Sequence, residues 1–105
     1  MITFVARLRV KPDNASAFEA LMSHVRDMTR EHEPGVAYYD FAKGVDEPDT
    51  WLVIEVYGDV AAQAAHMATE WVKGSLPKSA MLIEGQPDIK QYVNPGSAPV
   101  TNRLF

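Results

Sequence analysis

The chain has 105 residues, 47% hydrophobic and 23% charged, which suits a single soluble globular domain. Its net charge of −4 supplies no basic face for nucleic acid and argues against an anionic membrane surface. It contains no cysteine, so disulfides, thiol nucleophiles and thiolate metal sites are excluded.

The start, MITFVARLRV, alternates apolar with polar residues. It has neither the basic start nor the unbroken apolar run of a signal peptide, and no stretch approaches membrane-spanning length. A cytoplasmic protein is expected.

Residues 2–10 read as a strand, with Ile2, Phe4, Ala6, Leu8 and Val10 on one face. Lys11-Pro12-Asp13-Asn14 breaks the alternation, and Asp13 or Asn14 can cap a helix. The following run to about His32 places Phe18, Leu21, Met22, Val25, Met28 and Thr29 on one helical stripe. Glu33-Pro34-Gly35 ends that helix. Val36 to Lys43 is a second, aromatic-rich strand, and GVDEPDT is a polar connection of hairpin type. Trp51 to Tyr57 is the third strand.

Gly58-Asp59 turns into a second helix from about Val60, which the sequence expects to loosen near Lys73-Gly74 and Pro77. A short helical piece from Lys78 to Glu84 and a last strand from Asp88 to Val93 complete the pattern. The order β-α-β-β-α-β is the ferredoxin-like α+β arrangement, an antiparallel sheet with helices on one face. One domain over 1–93 is expected, followed by a tail over 94–105 that is an arm or disordered, with Leu104 and Phe105 apolar enough to dock.

The strands are apolar on both faces. Trp51, Val53 and Tyr57 alternate with Leu52, Ile54 and Val56, and Val36 and Tyr38 lie opposite Ala37, Tyr39 and Phe41 by simple alternation. Two helices cover one face only. The other therefore calls for a second copy, and a homodimer through the sheet is expected.

Several stretches resemble the antibiotic biosynthesis monooxygenase family. EPGVAYYDF is similar to the segment after its first helix, and VIEVYGDVAAQAAH to its next signature, in which Glu55, Tyr57 and His66 fall on matching positions. Many members have tryptophan where Tyr57 stands. ATEWVKG resembles a third stretch, with Trp71 at the aromatic position but without the usual proline and second histidine; Glu70 stands there instead. The likeness spans residues 2–93 and implies a dimeric α+β barrel. Members include cofactor-independent oxygenases of quinols and polyketide phenols, haem-degrading enzymes and isomerases of small metabolites. Fold alone does not choose among these.

His66 is the candidate catalytic residue. On an ideal helix from Val60, the stripe of Val60, Ala64, Met67, Ala68 and Trp71 turns His66 to the surface; the resemblance turns it and Ala62 toward the sheet. Facing inward, a neutral histidine near a carboxylate can remove a phenolic or carbon-bound proton, or simply shape a pocket. Glu55 breaks an apolar strand, and either orients His66 and lines a pocket or pairs with Arg7 or Arg9. Tyr38, Tyr39, Phe41, Tyr57 and Trp71 suit a flat aromatic ligand or an aromatic core, with Trp71 the foremost pocket residue. His24 and His32 are expected to be exposed.

The three histidines have no usual metal spacing, and P-loop, G-x-S-x-G and dinucleotide motifs are absent. The first strand lacks the asparagine of haem-degrading relatives, so haem is not expected. No cofactor is expected: an electron-rich quinol or polyphenol, once deprotonated, can itself reduce O2. The alternatives are an isomerase of a small carbonyl metabolite using the same His66 base, and a ligand-binding or stress-response module without catalysis.

Overall fold

The computed structural model describes residues 1–101. Four strands form one antiparallel sheet in the order β2-β3-β1-β4: β1 (Ile2–Val10), β2 (Val36–Lys43), β3 (Thr50–Tyr57) and β4 (Ile83–Val93). The helices are α1 (Ala15–His32), α2 (Val60–Ala68) and α3 (Glu70–Leu82). This is the ferredoxin-like α+β fold expected from the element order.

The alternation in β1 decides the layers. Ile2, Phe4, Ala6, Leu8 and Val10 are all buried, whereas Arg7 and Arg9 stay exposed on the other side. Phe18, Met22 and Val25 of α1 pack on this face together with Trp51 and Val53 of β3. The Phe18 and Trp51 rings meet edge to face, with centroids 5.3 Å apart.

Three local readings need correction. Simple alternation put Val36 and Tyr38 together, but the register slips between them, opposite Tyr57 and Val56. That bulge leaves Val36 packed into the core with Tyr39 and Phe41 and sends Tyr38 to the open face.

The second helix breaks at Thr69, not at Lys73-Gly74 or Pro77. Thr69 is extended (φ −67°, ψ 152°), and it serves both helices. Its hydroxyl donates to the His66 carbonyl at 2.7 Å and accepts from the Val72 N–H at 3.3 Å. That double cap makes the junction stable, and α3 then runs through Pro77 to Leu82.

The last strand starts five residues earlier than Asp88, at Ile83. Its register against β1 shifts between Arg7 and Arg9, beside Gly85 at φ +69°, where glycine tolerates the left-handed backbone.

The described part of the tail packs back on its own sheet. Val100 is buried against Ile2, Phe4 and Tyr57. Its backbone exchanges two hydrogen bonds with the Gln91 amide, at 2.7 and 3.0 Å. Leu104 and Phe105 lie outside the described residues. No helix among the described residues is long and apolar enough to cross a membrane.

Candidate active site

His66 faces inward. On α2 the buried or half-buried residues are Ala62, Gln63, His66 and Met67, while Val60, Ala64 and Ala68 are exposed. The ideal-helix stripe over 60–71 loses Trp71 to the break at Thr69. Alanine, nearly neutral about burial, carried most of the rest.

The ring is 2% exposed and is held between two carboxylates. Nδ1 lies 2.9 and 3.1 Å from the oxygens of Glu33, and Nε2 lies 3.5 Å from Oε1 of Glu55. Glu55 points to the helix side of β3, opposite Phe4, so it cannot reach the arginines of β1. Arg7 instead pairs with Glu47, and Arg9 lies 3.9 Å from Glu84.

The Tyr57 hydroxyl donates a short hydrogen bond to Oε1 of Glu55. The rings of Tyr39 and Tyr57 flank the imidazole, with centroids 5.2 and 5.5 Å away.

Burial raises the Glu55 carboxyl above the usual carboxylate range, and the nearby Glu33 charge adds to the rise. The Tyr57 hydrogen bond and His66 offset part of it. Burial, with the Glu55 and Glu33 charges, also raises the hydroxyls of Tyr39 and Tyr57, so both stay protonated.

Glu55, His66 and Tyr39 form the polar end of a cavity of about 330 Å³ between sheet and helices. Its walls are apolar: Phe18, Met22 and Val25 from α1, Leu8 and Val53 from the sheet, Val72 and Leu76 from α3. Ser75, Ser79 and Gln86 also line it. Such a lining suits a small, mostly apolar ligand that carries hydrogen-bonding groups. A larger open cleft of about 520 Å³ lies across Arg7, Arg9, Glu47 and Glu84, but its charges are exposed and paired with each other. Among the described residues, no group of three or more His, Cys, Asp or Glu side chains is placed to hold a metal ion.

Of the five aromatic candidates only Tyr39 lines the cavity; Tyr38 is on the open sheet face, Phe41 packs against the core, and Tyr57 and Trp71 also stand outside it. Tyr57 sits behind Glu55 as its donor. Trp71 follows the Thr69 break, which turns it away toward the end of α1. There its indole N–H donates to Oε2 of Glu33 at 2.8 Å, and its ring lies 5.5 Å from His32.

The residue that sequence reasoning missed is Glu33. In EPG it served only as a helix stop. Its signal was an acid at a helix C-terminus, where the dipole disfavours negative charge, so burial there needs donors.

The model of the family described as antibiotic biosynthesis monooxygenase matches residues 1–74. The chain belongs to the antibiotic biosynthesis monooxygenase family. That span carries Glu33, Tyr39, Glu55, His66 and Trp71. YcnE of Bacillus subtilis (strain 168), provisionally named a monooxygenase, is 30% identical over 93 residues, covering 85% of this chain and 93% of that one.

Among solved structures, a protein of Caulobacter crescentus CB15 provisionally described as an antibiotic biosynthesis monooxygenase superposes with a TM-score of 0.83. It is 26% identical, with 87% of this chain and 86% of that one covered. A family protein of Nitrosomonas europaea shares the fold at a TM-score of 0.84 and 21% identity, over 90% of this chain and 99% of that one.

Proposed function

We propose that the chain is a monooxygenase that oxygenates a quinol or polyphenol with O2, using no metal or flavin. The observation that carries this reading is the pair of buried His66 and half-buried Glu55 at one end of a mostly apolar cavity. A phenolic hydroxyl docked there can give its proton to the pair, which the raised Glu55 carboxyl favours. The phenolate then passes one electron to O2, and the two radicals join as a peroxide at a ring carbon. Loss of water leaves the product. For a hydroquinone the sum is quinol plus O2 giving hydroxyquinone plus water: the substrate supplies all four electrons. The protein supplies orientation, dryness and the proton acceptor.

A homodimer joined through the open sheet face belongs to the same reading. Leu52, Ile54 and Val56 lie on that face of β3 with Val5 beside them, and Tyr38 and Tyr92 are 48% and 56% exposed there. An apolar patch of this kind is more stable covered than wet. The cysteine-free composition fits a reducing cytoplasm.

Oxygen uptake with a panel of hydroquinones and polyhydroxylated aromatics tests the activity. One O2 per substrate is expected, with one oxygen atom from labelled O2 in the product. His66→Ala and Glu55→Gln should each lower kcat by about 10²–10⁴-fold. Absence of uptake across the panel would overturn the oxygenase reading. Full activity in both variants would overturn the residue assignment.

A further inference from the structure

Glu33 joins three elements. It closes α1, with its own N–H on the Thr29 carbonyl at 3.0 Å, and its side chain is only 8% exposed. Its oxygens receive Nδ1 of His66 from α2 and the indole N–H of Trp71 from α3. A carboxylate only accepts, so the nitrogen facing it at 2.9 Å carries the hydrogen and donates. In a neutral imidazole this leaves the Nε2 lone pair directed at Glu55, 3.5 Å away.

We propose that Glu33 is the positioning residue of the acid–base pair. It fixes His66 in the Nδ1–H tautomer, so that a proton reaching Glu55 is shared with Nε2. This rests on the reading of Glu55 and His66 as the proton acceptor. The step breaks a carboxyl O–H bond and forms an N–H bond, with no change in electron count. The imidazolium that forms stands beside the Glu33 charge, as an acid orients and stabilises the histidine of a hydrolase triad.

The opposite tautomer is disfavoured by the same geometry. It would set the Nδ1 lone pair 2.9 Å from the Glu33 carboxylate, whereas the Nδ1–H form keeps its Nε2 lone pair at 3.5 Å from Glu55. The carboxylate itself cannot easily swing aside, because Trp71 fixes Oε2 at 2.8 Å. The turn behind it is fixed too: the Gly58 N–H donates to the Gly35 carbonyl at 3.0 Å. The other titratable groups facing the ring are Tyr39 and Tyr57, which remain protonated.

The test is the imidazole ¹⁵N spectrum of the full chain, with His24→Gln and His32→Gln so that one ring reports. The expected wild-type His66 signal is the Nδ1–H tautomer. Glu33→Leu, with no acceptor, should move the ring to Nε2–H, whereas Glu33→Gln keeps an acceptor and should keep the tautomer. In turnover, Glu33→Leu should lower kcat about 10–100-fold with KM little changed, and Glu33→Gln should recover part of it. A wild-type Nε2–H ring, or Nδ1–H persisting in a folded Glu33→Leu variant, would overturn the proposal. Should Glu33→Leu not fold, the wild-type spectrum alone still decides. None of the spectra requires turnover, so failure of the oxygenase reading and failure of this one are distinguishable.

Discussion

Gly35 and Ala62 touch across the site. A Cβ built on Gly35 would stand 2.8 Å from the Ala62 Cβ, closer than two carbons pack. Ala62 lies one helical turn before His66, so the close approach of the 33–35 turn to α2 brings Glu33 within bonding distance of the ring.

Gly35→Ala should therefore push the turn off α2. The expected cost is about 1–3 kcal/mol by urea denaturation, from overpacking. The loss should shrink in the double variant with Ala62→Gly, beyond the roughly 1 kcal/mol that glycine costs in a helix. Strict additivity of the two changes would show that the contact does not couple them.

Glu55 should make the protein less stable as pH rises. Its folded carboxyl sits above the ordinary value, so between the ordinary value and the folded one the native state holds a proton that the unfolded chain has lost. Stability from this group is full at acid pH and falls as pH climbs through the folded value. Glu55→Gln should flatten that part of the stability curve, measured by denaturation at pH values rising from the ordinary carboxylate value. An unchanged curve would contradict it.

The raised Tyr39 and Tyr57 hydroxyls predict a second, alkaline loss. Above the ordinary tyrosine value the unfolded chain ionises while the folded rings keep their protons, so stability again falls with pH. Tyr39→Phe should reduce the slope above about pH 10. Tyrosinate absorbance should rise with unfolding, not before it.

Val100 should matter to stability although it lies in the tail. It is 4% exposed over Ile2, Phe4 and Tyr57. Val100→Ala removes two methyl groups' worth of contact and should cost about 1.5 kcal/mol, read as a lower urea midpoint with unchanged slope. No shift would mean that the 94–101 segment leaves the sheet in solution.

Ile54→Lys tests the open face. Ile54 pairs with Val5 in the middle of the sheet, on the side without helices. Light scattering should give a dimer mass for the wild type and a monomer mass for this variant. A monomeric wild type would end the dimer reading.

The sequence by itself determined the layers. Period-two alternation in residues 2–10 and 51–57, and the stripe from Phe18 to Thr29, specify which faces are buried, because burial acts residue by residue along a regular element. It also marked Glu55 and His66, each a polar residue in a run of apolar or small ones. It did not show the helix break at Thr69, since a double cap is a local hydrogen-bond geometry with no periodic signature. The slip between Val36 and Tyr38 was hidden for the same reason.

Only the tertiary structure decided what His66 meets. Alanine neighbours left its direction open, and periodicity alone would have put it in water. The contact of α2 with the EPG turn settles it, by setting Glu33 against Nδ1 across 33 positions of chain. A buried donor and a buried carboxylate find each other because neither is stable alone away from water, and no reading of local pattern contains that pairing.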